Sequence, residues 1–286
     1  MNWNADSFFA IGKTHMVCED YARAGLTEDG HPYAVVCDGC SSSPDTDFGA
    51  RLLATSAVFQ MRWICRGEGS FMIRDSQILS AAANAANEID VNMRCLDATV
   101  VAAYRAVQDG NEGVKVSMRG DGVVVARHRD GSYVIQAVDH DHNAPRYLSY
   151  ELDEDRMGGY MKRYGDRSRM RQFDHAGDTM HDWTITEEFD GHLEDRFFPA
   201  KDYDLVMVLS DGVQTFQRVV RTGTSKMLDN VPVEQVIERL LKIKGTNGEF
   251  LKRRCHKFLT KFCAINEWQH ADDFSAAAIW MGEPDA

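Results

Sequence analysis

The order of helical and extended stretches limits what this chain can fold into more than any other feature. Short apolar runs rich in β-branched residues predict strands at 33–37 (YAVVC), 99–104 (TVVAAY), 114–118, 123–128, 133–138, 205–210 (LVMVLS) and 275–281 (SAAAIWM). Asp130-Gly131, between two of them, is a hairpin signal. Apolar residues at helical spacing predict helices over 48–65, 76–92, 233–243 and 249–266, the third following Pro232. The elements therefore run strands, two helices, a long series of mostly consecutive strands, two helices and a final strand. That segregation predicts an α+β fold of two sheets covered by helices, not an alternating βαβ sheet.

Nothing in the sequence splits the chain, so one domain over 1–286 is expected. The 146–181 stretch, rich in Arg, Asp, Gly and Met, shows no periodicity and is expected to be a lid or flap. Hydrophobic residues make up 44% of the 286, enough for a substantial core. A formal net charge of −12 excludes nucleic acid as a partner, because nothing is gained by counterion release. It suits a protein that gathers carboxylates around hard cations. The first residues carry no secretory signal pattern and no run is long enough to span a membrane, so no membrane association is expected. Seven scattered cysteines fit reduced thiols in the cytoplasm.

Three acids stand at strand ends. Asp38 ends YAVVCDG, Asp211 ends LVMVLSDG, and Asp272 precedes FSAAAIWM. A strand fixes such a residue, and the following Gly39 or Gly212 permits a sharp turn that exposes a carbonyl beside the carboxylate. Converging carboxylates repel one another, and a divalent cation removes that repulsion. An Asp-Gly pair alone is also an ordinary turn.

Glu19-Asp20-Tyr21, Val36-Cys-Asp-Gly-Cys-Ser-Ser42, Leu96-Asp-Ala-Thr-Val-Val, Arg119-Gly-Asp-Gly-Val, Leu209-Ser-Asp-Gly-Val213 and Ala271-Asp-Asp-Phe-Ser275 follow one another along the chain. This ordered set resembles the motifs of the protein phosphatase 2C (PP2C) family, closest to its bacterial branch, from about residue 11 to 281. The resemblance implies a four-layer αββα sandwich and hydrolysis of phosphoserine or phosphothreonine in proteins by a water activated between two Mg²⁺ or Mn²⁺ ions. It implies Asp38 as the bridging carboxylate, the Gly39 carbonyl as a ligand, and Asp211 and Asp272 as further ligands. Glu19 and Asp20 match the early acidic pair, and Asp121 an acid that helps hold a third, weaker metal in bacterial members. The implied partners are a phosphorylated protein and a cognate Ser/Thr kinase.

The chain departs from the family at four places. His15, with Lys13 nearby, stands where an arginine grips phosphate. Cys40 replaces the histidine that follows Asp-Gly in eukaryotic members. Gly120-Asp121-Gly122-Val123 replaces Gly-Asp-Ser-Arg, and Asp272-Asp273 replaces Asp-Asn, with Asp272 the expected ligand. Two rival readings follow: a catalytically weak phosphoprotein-binding module, and a dimetal phosphoesterase acting on small molecules. Cys37-Asp-Gly-Cys40 lacks the second pair that structural zinc needs. His140-Asp141-His142 reads as a charged loop, and Lys252, Arg253, Arg254, His256 and Lys257 as a solvated helix face.

Overall fold

The structure, a computed structural model, describes residues 2–65, 73–176, 179–180, 182–190, 192–222 and 225–282. The amino-terminal part holds β1 (Asn4–Ala10), β2 (Tyr21–Leu26), β3 (Pro32–Cys37), α1 (Thr46–Cys65) and α2 (Asp75–Glu88). Next come β4 (Val100–Gln108), β5 (Asn111–Arg119), β6 (Gly122–His128), β7 (Tyr133–His140), α3 (Glu154–Tyr164) and β8 (Arg167–Ala176). Then follow β9 (Thr179–Met180), β10 (Thr184–Asp190), β11 (Leu193–Pro199), β12 (Tyr203–Leu209), β13 (Phe216–Thr222) and β14 (Ser225–Asn230). The chain closes with α4 (Val233–Leu241), α5 (Phe250–Lys257), β15 (Trp268–His270) and β16 (Phe274–Trp280).

One antiparallel sheet has the order β1-β16-β12-β6-β7-β8-β10, with β9 beside β8, and a second has the order β11-β5-β4-β3-β2. A small sheet, β14-β13-β15, stands apart. Strand alternation builds three cores. Val36, Val101, Val116 and Met118 meet Val124, Val208, Ala277 and Ile279 between the two large sheets. The opposite faces carry Val35, Ala102 and Tyr104 against Leu53, Met61, Ile78 and Leu79 of α1 and α2. They also carry Val125, Met207 and Phe274 against Ile237, Leu240 and Phe250 of α4 and α5. The expected αββα sandwich is the observed one.

Helix ends follow local chemistry. α2 stops short of the expected Asn92 because Asp90 takes a left-handed conformation at φ +58°. α5 continues through a π-helical turn, Phe258–Cys263, and ends where Glu267 turns left-handed.

The 146–181 stretch is not the unstructured loop that its sequence suggests. It contains a 3₁₀ turn (Leu148–Leu152), α3 and β8; its expected limit, His181, lies outside the described residues. The periodicity was invisible for physical reasons. In α3 the one buried residue is Tyr160, and Asp153 caps its first turn, so no apolar stripe marks it. Along β8 the inward positions include Ser168 as well as Met170, with arginines between them. His140 also departs from expectation. It is the buried end of β7, its Nδ1 3.0 Å from Ser168 Oγ, rather than part of a charged loop.

β3 and β12 end where β2, β6 and β16 begin, because each adjacent pair is antiparallel. Asp20, Asp38, Asp121, Asp211 and Asp272 are thereby delivered to one end of the sandwich.

Candidate active site

Backbone pairing fixes the turn after β3. Asp38 donates its N–H to Thr99 Oγ1 (3.1 Å), its carbonyl accepts from Thr99 N (2.8 Å), and Gly39 pairs with Ala98. A Cβ on Gly39 would lie 2.8 Å from Thr46 Cβ, and one on Gly212 only 1.7 Å from the Asp273 carbonyl oxygen. Both Asp-Gly turns therefore require glycine on steric grounds.

Asp20 is 1% exposed; its Oδ2 accepts from Ser210 Oγ at 2.7 Å, while Oδ1 is buried with no donor. The Asp38 carboxyl lies close enough to Asp20 and Asp211 for their charges to act on it. Burial, then the charges of Asp20, Asp211 and Asp121, push Asp38 well above the usual carboxylate range. Burial and the charge of Asp211 do the same to Asp121. Asp211 is raised by burial, with Asp272 and Asp139 adding to it, and burial pushes Asp20 up to about 7. No cationic side chain figures among the groups that dominate these four carboxyls.

The neighbouring pair Asp272-Asp273 divides its work. Asp273 is 3% exposed and accepts from the backbone N–H groups of Gly12 and Glu19, both at 2.6 Å, so it clasps the loop before β2. Asp272 has a side chain 43% exposed and acts electrostatically on Asp121 and Asp211. His15 sits between them, Nε2 3.2 Å from Asp272 Oδ1 and Nδ1 3.2 Å from Asp273 Oδ2, with Glu19 Oε2 at 4.0 Å. Burial alone would lower its pKa; the hydrogen bond and charge of Asp273, with Asp272 and Glu19, outweigh burial and raise it. Glu19 accepts from Thr46 Oγ1 at 2.9 Å. Lys13 is exposed and its ammonium is engaged by Gln269, so of all the expected site residues it alone is drawn away from the acids.

Hard divalent cations suit this donor set: it is all oxygen, it has an orphaned buried carboxylate atom in Asp20, and its carboxyls repel one another. Among the described residues, no three His, Cys, Asp or Glu side chains converge into a ready-made coordination shell.

A family model described as protein phosphatase 2C matches residues 12–260. The chain belongs to the protein phosphatase 2C family. Among solved structures it is similar to a bacterial serine phosphatase, with a TM-score of 0.51 and 13% identity over 99% of each chain. It is also similar to the serine/threonine phosphatase Stp1 from Staphylococcus aureus: TM-score 0.48, 13% identity, covering 98% of this chain and 95% of that one. No curated protein matches this phosphatase-family chain by sequence.

Four side chains near the phosphatase-family motifs escaped the sequence reading. Thr99 and Ser210 lie inside or beside quoted motifs, so their role was within reach. Asp139 was passed over beside His140, although its charge acts on Asp121 and Asp211. Tyr147 is buried beside Cys40, Asp121 and Asp38, and burial first, then those groups, raise its phenol far above the ordinary value. It falls in the polar stretch, where nothing marked it. Cys40 itself donates its backbone N–H to the Asp97 carbonyl (2.8 Å) and holds its sulfur 3.1 Å from Ser42 Oγ.

Proposed function

We propose that this chain is a Mg²⁺- or Mn²⁺-dependent phosphatase that hydrolyses phosphoserine and phosphothreonine in proteins. The observation that carries the reading is the convergence of Asp20, Asp38, Asp121 and Asp211, one buried carboxyl and three half-buried ones, whose charges act on one another. Asp38, the Gly39 carbonyl, Asp211 and Asp272 would hold two cations, with Glu19 and Asp20 supporting them and Asp121 contributing to a third. When bound, such ions lower the pKa of water and offset charge on a phosphoryl group.

The chain's own residues do the rest. Thr99 holds Asp38 rigidly at the strand end, and Ser210 orients Asp20. Asp272, Asp273 and Glu19 raise the pKa of His15 and hold it at the same edge, where its imidazolium would bind a phosphate oxygen. Family membership supports a phosphorylated protein as substrate; a cognate Ser/Thr kinase and a cytoplasmic setting are further parts of the proposal. Among the described residues, no helix is long and apolar enough to cross a membrane.

The test is hydrolysis of p-nitrophenyl phosphate and a phosphothreonine peptide with Mn²⁺, with Mg²⁺, and with EDTA. Turnover of both substrates that EDTA abolishes and Mn²⁺ restores is expected. Binding of the phosphopeptide with no hydrolysis under any metal would overturn the assignment in favour of a binding module.

A further inference from the structure

Asp97 lies next to the acid cluster and is wired into it. Its carbonyl accepts from Cys40 N, and the two residues after it hold Gly39 and Asp38 by backbone pairing. Its carboxylate is 2% exposed and fully engaged. Ser43 Oγ donates to Oδ2 (2.6 Å), Ser149 Oγ donates to Oδ1 (2.5 Å), and Arg156 Nη2 lies 2.8 Å from both oxygens. Arg94 adds a guanidinium 3.8 Å away.

Two of those partners come from the segment between Arg146 and Asp166. Arg156 stands in the first turn of α3, where Asp153 accepts the N–H groups of residues 155 and 156, and its guanidinium covers the Tyr150 ring at 4.8 Å. Arg146 to Asp166 (2.5 Å) closes the base of the segment on itself, and Leu148 is buried in the core beneath α1 and α2. Among the described residues, the Arg156–Asp97 pair is the one ion pair that ties α3 to the sandwich. Tyr147 of the same segment is buried close enough to Cys40, Asp121 and Asp38 for those groups to act on its phenol.

We propose that Asp97 and Arg156 form a latch that seats the 146–166 segment on the loop carrying Asp38, and that the seated segment favours a phosphoprotein over a small phosphate ester. This rests on the phosphatase reading. A small ester needs only the acid cluster and its ions, whereas a peptide flanking the phosphoresidue must lie against whatever borders Asp38. Arg156 is therefore a positioning residue, acting through the segment rather than on the phosphate. Lysine at this position keeps the charge but loses the planar fork.

The test compares wild type, Arg156→Ala and Arg156→Lys with saturating Mn²⁺, using a phosphothreonine peptide and p-nitrophenyl phosphate. Amide hydrogen exchange is followed in residues 147–164. Arg156→Ala should lower the ratio of peptide to p-nitrophenyl phosphate kcat/KM about tenfold, through the peptide KM, and speed exchange in α3 while leaving β3 protected. Arg156→Lys should recover much of both effects. An unchanged ratio, a parallel fall for both substrates, or unchanged exchange in Arg156→Ala would each overturn the latch. A wild-type protein that hydrolyses neither substrate removes the phosphatase reading and the selectivity with it. Exchange would then still decide whether Arg156 holds the segment.

Discussion

Asp97 and the Asp20–Asp38–Asp211 cluster are joined through backbone pairing, and each holds a buried carboxyl, Asp97 in one and Asp20 in the other, yet their charges are met in opposite ways. Around Asp97 the protein supplies everything: two serine hydroxyls and the guanidinium of Arg156, with Arg94 close by. Around Asp38 it supplies hydroxyls and further carboxyls, and leaves one Asp20 oxygen without a donor. A buried charge that is internally compensated stabilises an arrangement of the chain; one that is not is completed by something from outside. The first is a structural node, and the second has the character expected of the proposed cation site.

Substitutions that remove the negative charge should therefore have opposite consequences at the two places. Asp38→Asn should lower phosphatase turnover by about a thousandfold or more, because the proposed bridging ligand is lost. In EDTA the same change should raise stability by about 1–2 kcal/mol, since one source of repulsion disappears. Asp97→Ala should instead cost about 1–3 kcal/mol, leaving the Ser43 and Ser149 hydroxyls and the partly exposed Arg156 without their acceptor. Urea denaturation of both variants measures this, and a loss of stability in metal-free Asp38→Asn would erase the distinction.

The pH dependence of the metal-free protein sharpens the same contrast. Asp20 is raised from an ordinary 3.8 to about 7. Its folded form thus binds protons more tightly than its unfolded form. That contribution is fully present below about pH 4 and is lost as pH rises through 7. In EDTA, stability should fall by on the order of 2–4 kcal/mol between pH 4 and 8, with Asp38, Asp121 and Asp211 acting in the same direction. Denaturation midpoints across that range check it, and a flat profile would show that the carboxyls are not coupled.

A smaller version of the contrast lies in two adjacent residues. Asp273→Ala removes the acceptor for the Gly12 and Glu19 N–H groups and should cost about 2–3 kcal/mol with or without metal. Asp272→Ala should leave metal-free stability within about 0.5 kcal/mol and weaken Mn²⁺ activation instead. Reversed effects would exchange the two roles.

Much of this was legible in the sequence because strands and their ends carry local signals. The runs before Asp38 and Asp211 and after Asp273 are apolar, β-rich and followed or preceded by tight turns, so both the sandwich and its acidic end could be anticipated. What stayed hidden depended on contacts distant in sequence. Asp97 and Arg156 are 59 residues apart and each reads alone as a surface charge. α3 has too little buried surface to show a stripe, and β8 alternates arginines with the inward pair Ser168 and Met170, of which only one is apolar. Asp272 is the expected ligand of its pair, but nothing in the sequence announces the clasp that Asp273 forms on the Gly12–Glu19 loop.

Calorimetric titration of the metal-free protein with Mn²⁺ at pH 6.5, in two buffers of different ionisation enthalpy, tests the central claim most directly. The carboxyl cluster, holding protons where a cation belongs, should bind at least two Mn²⁺ per chain and release protons to the buffer as it does so, and Asp38→Asn should abolish the tighter event. Absence of binding up to millimolar Mn²⁺, or binding without proton release, would contradict it.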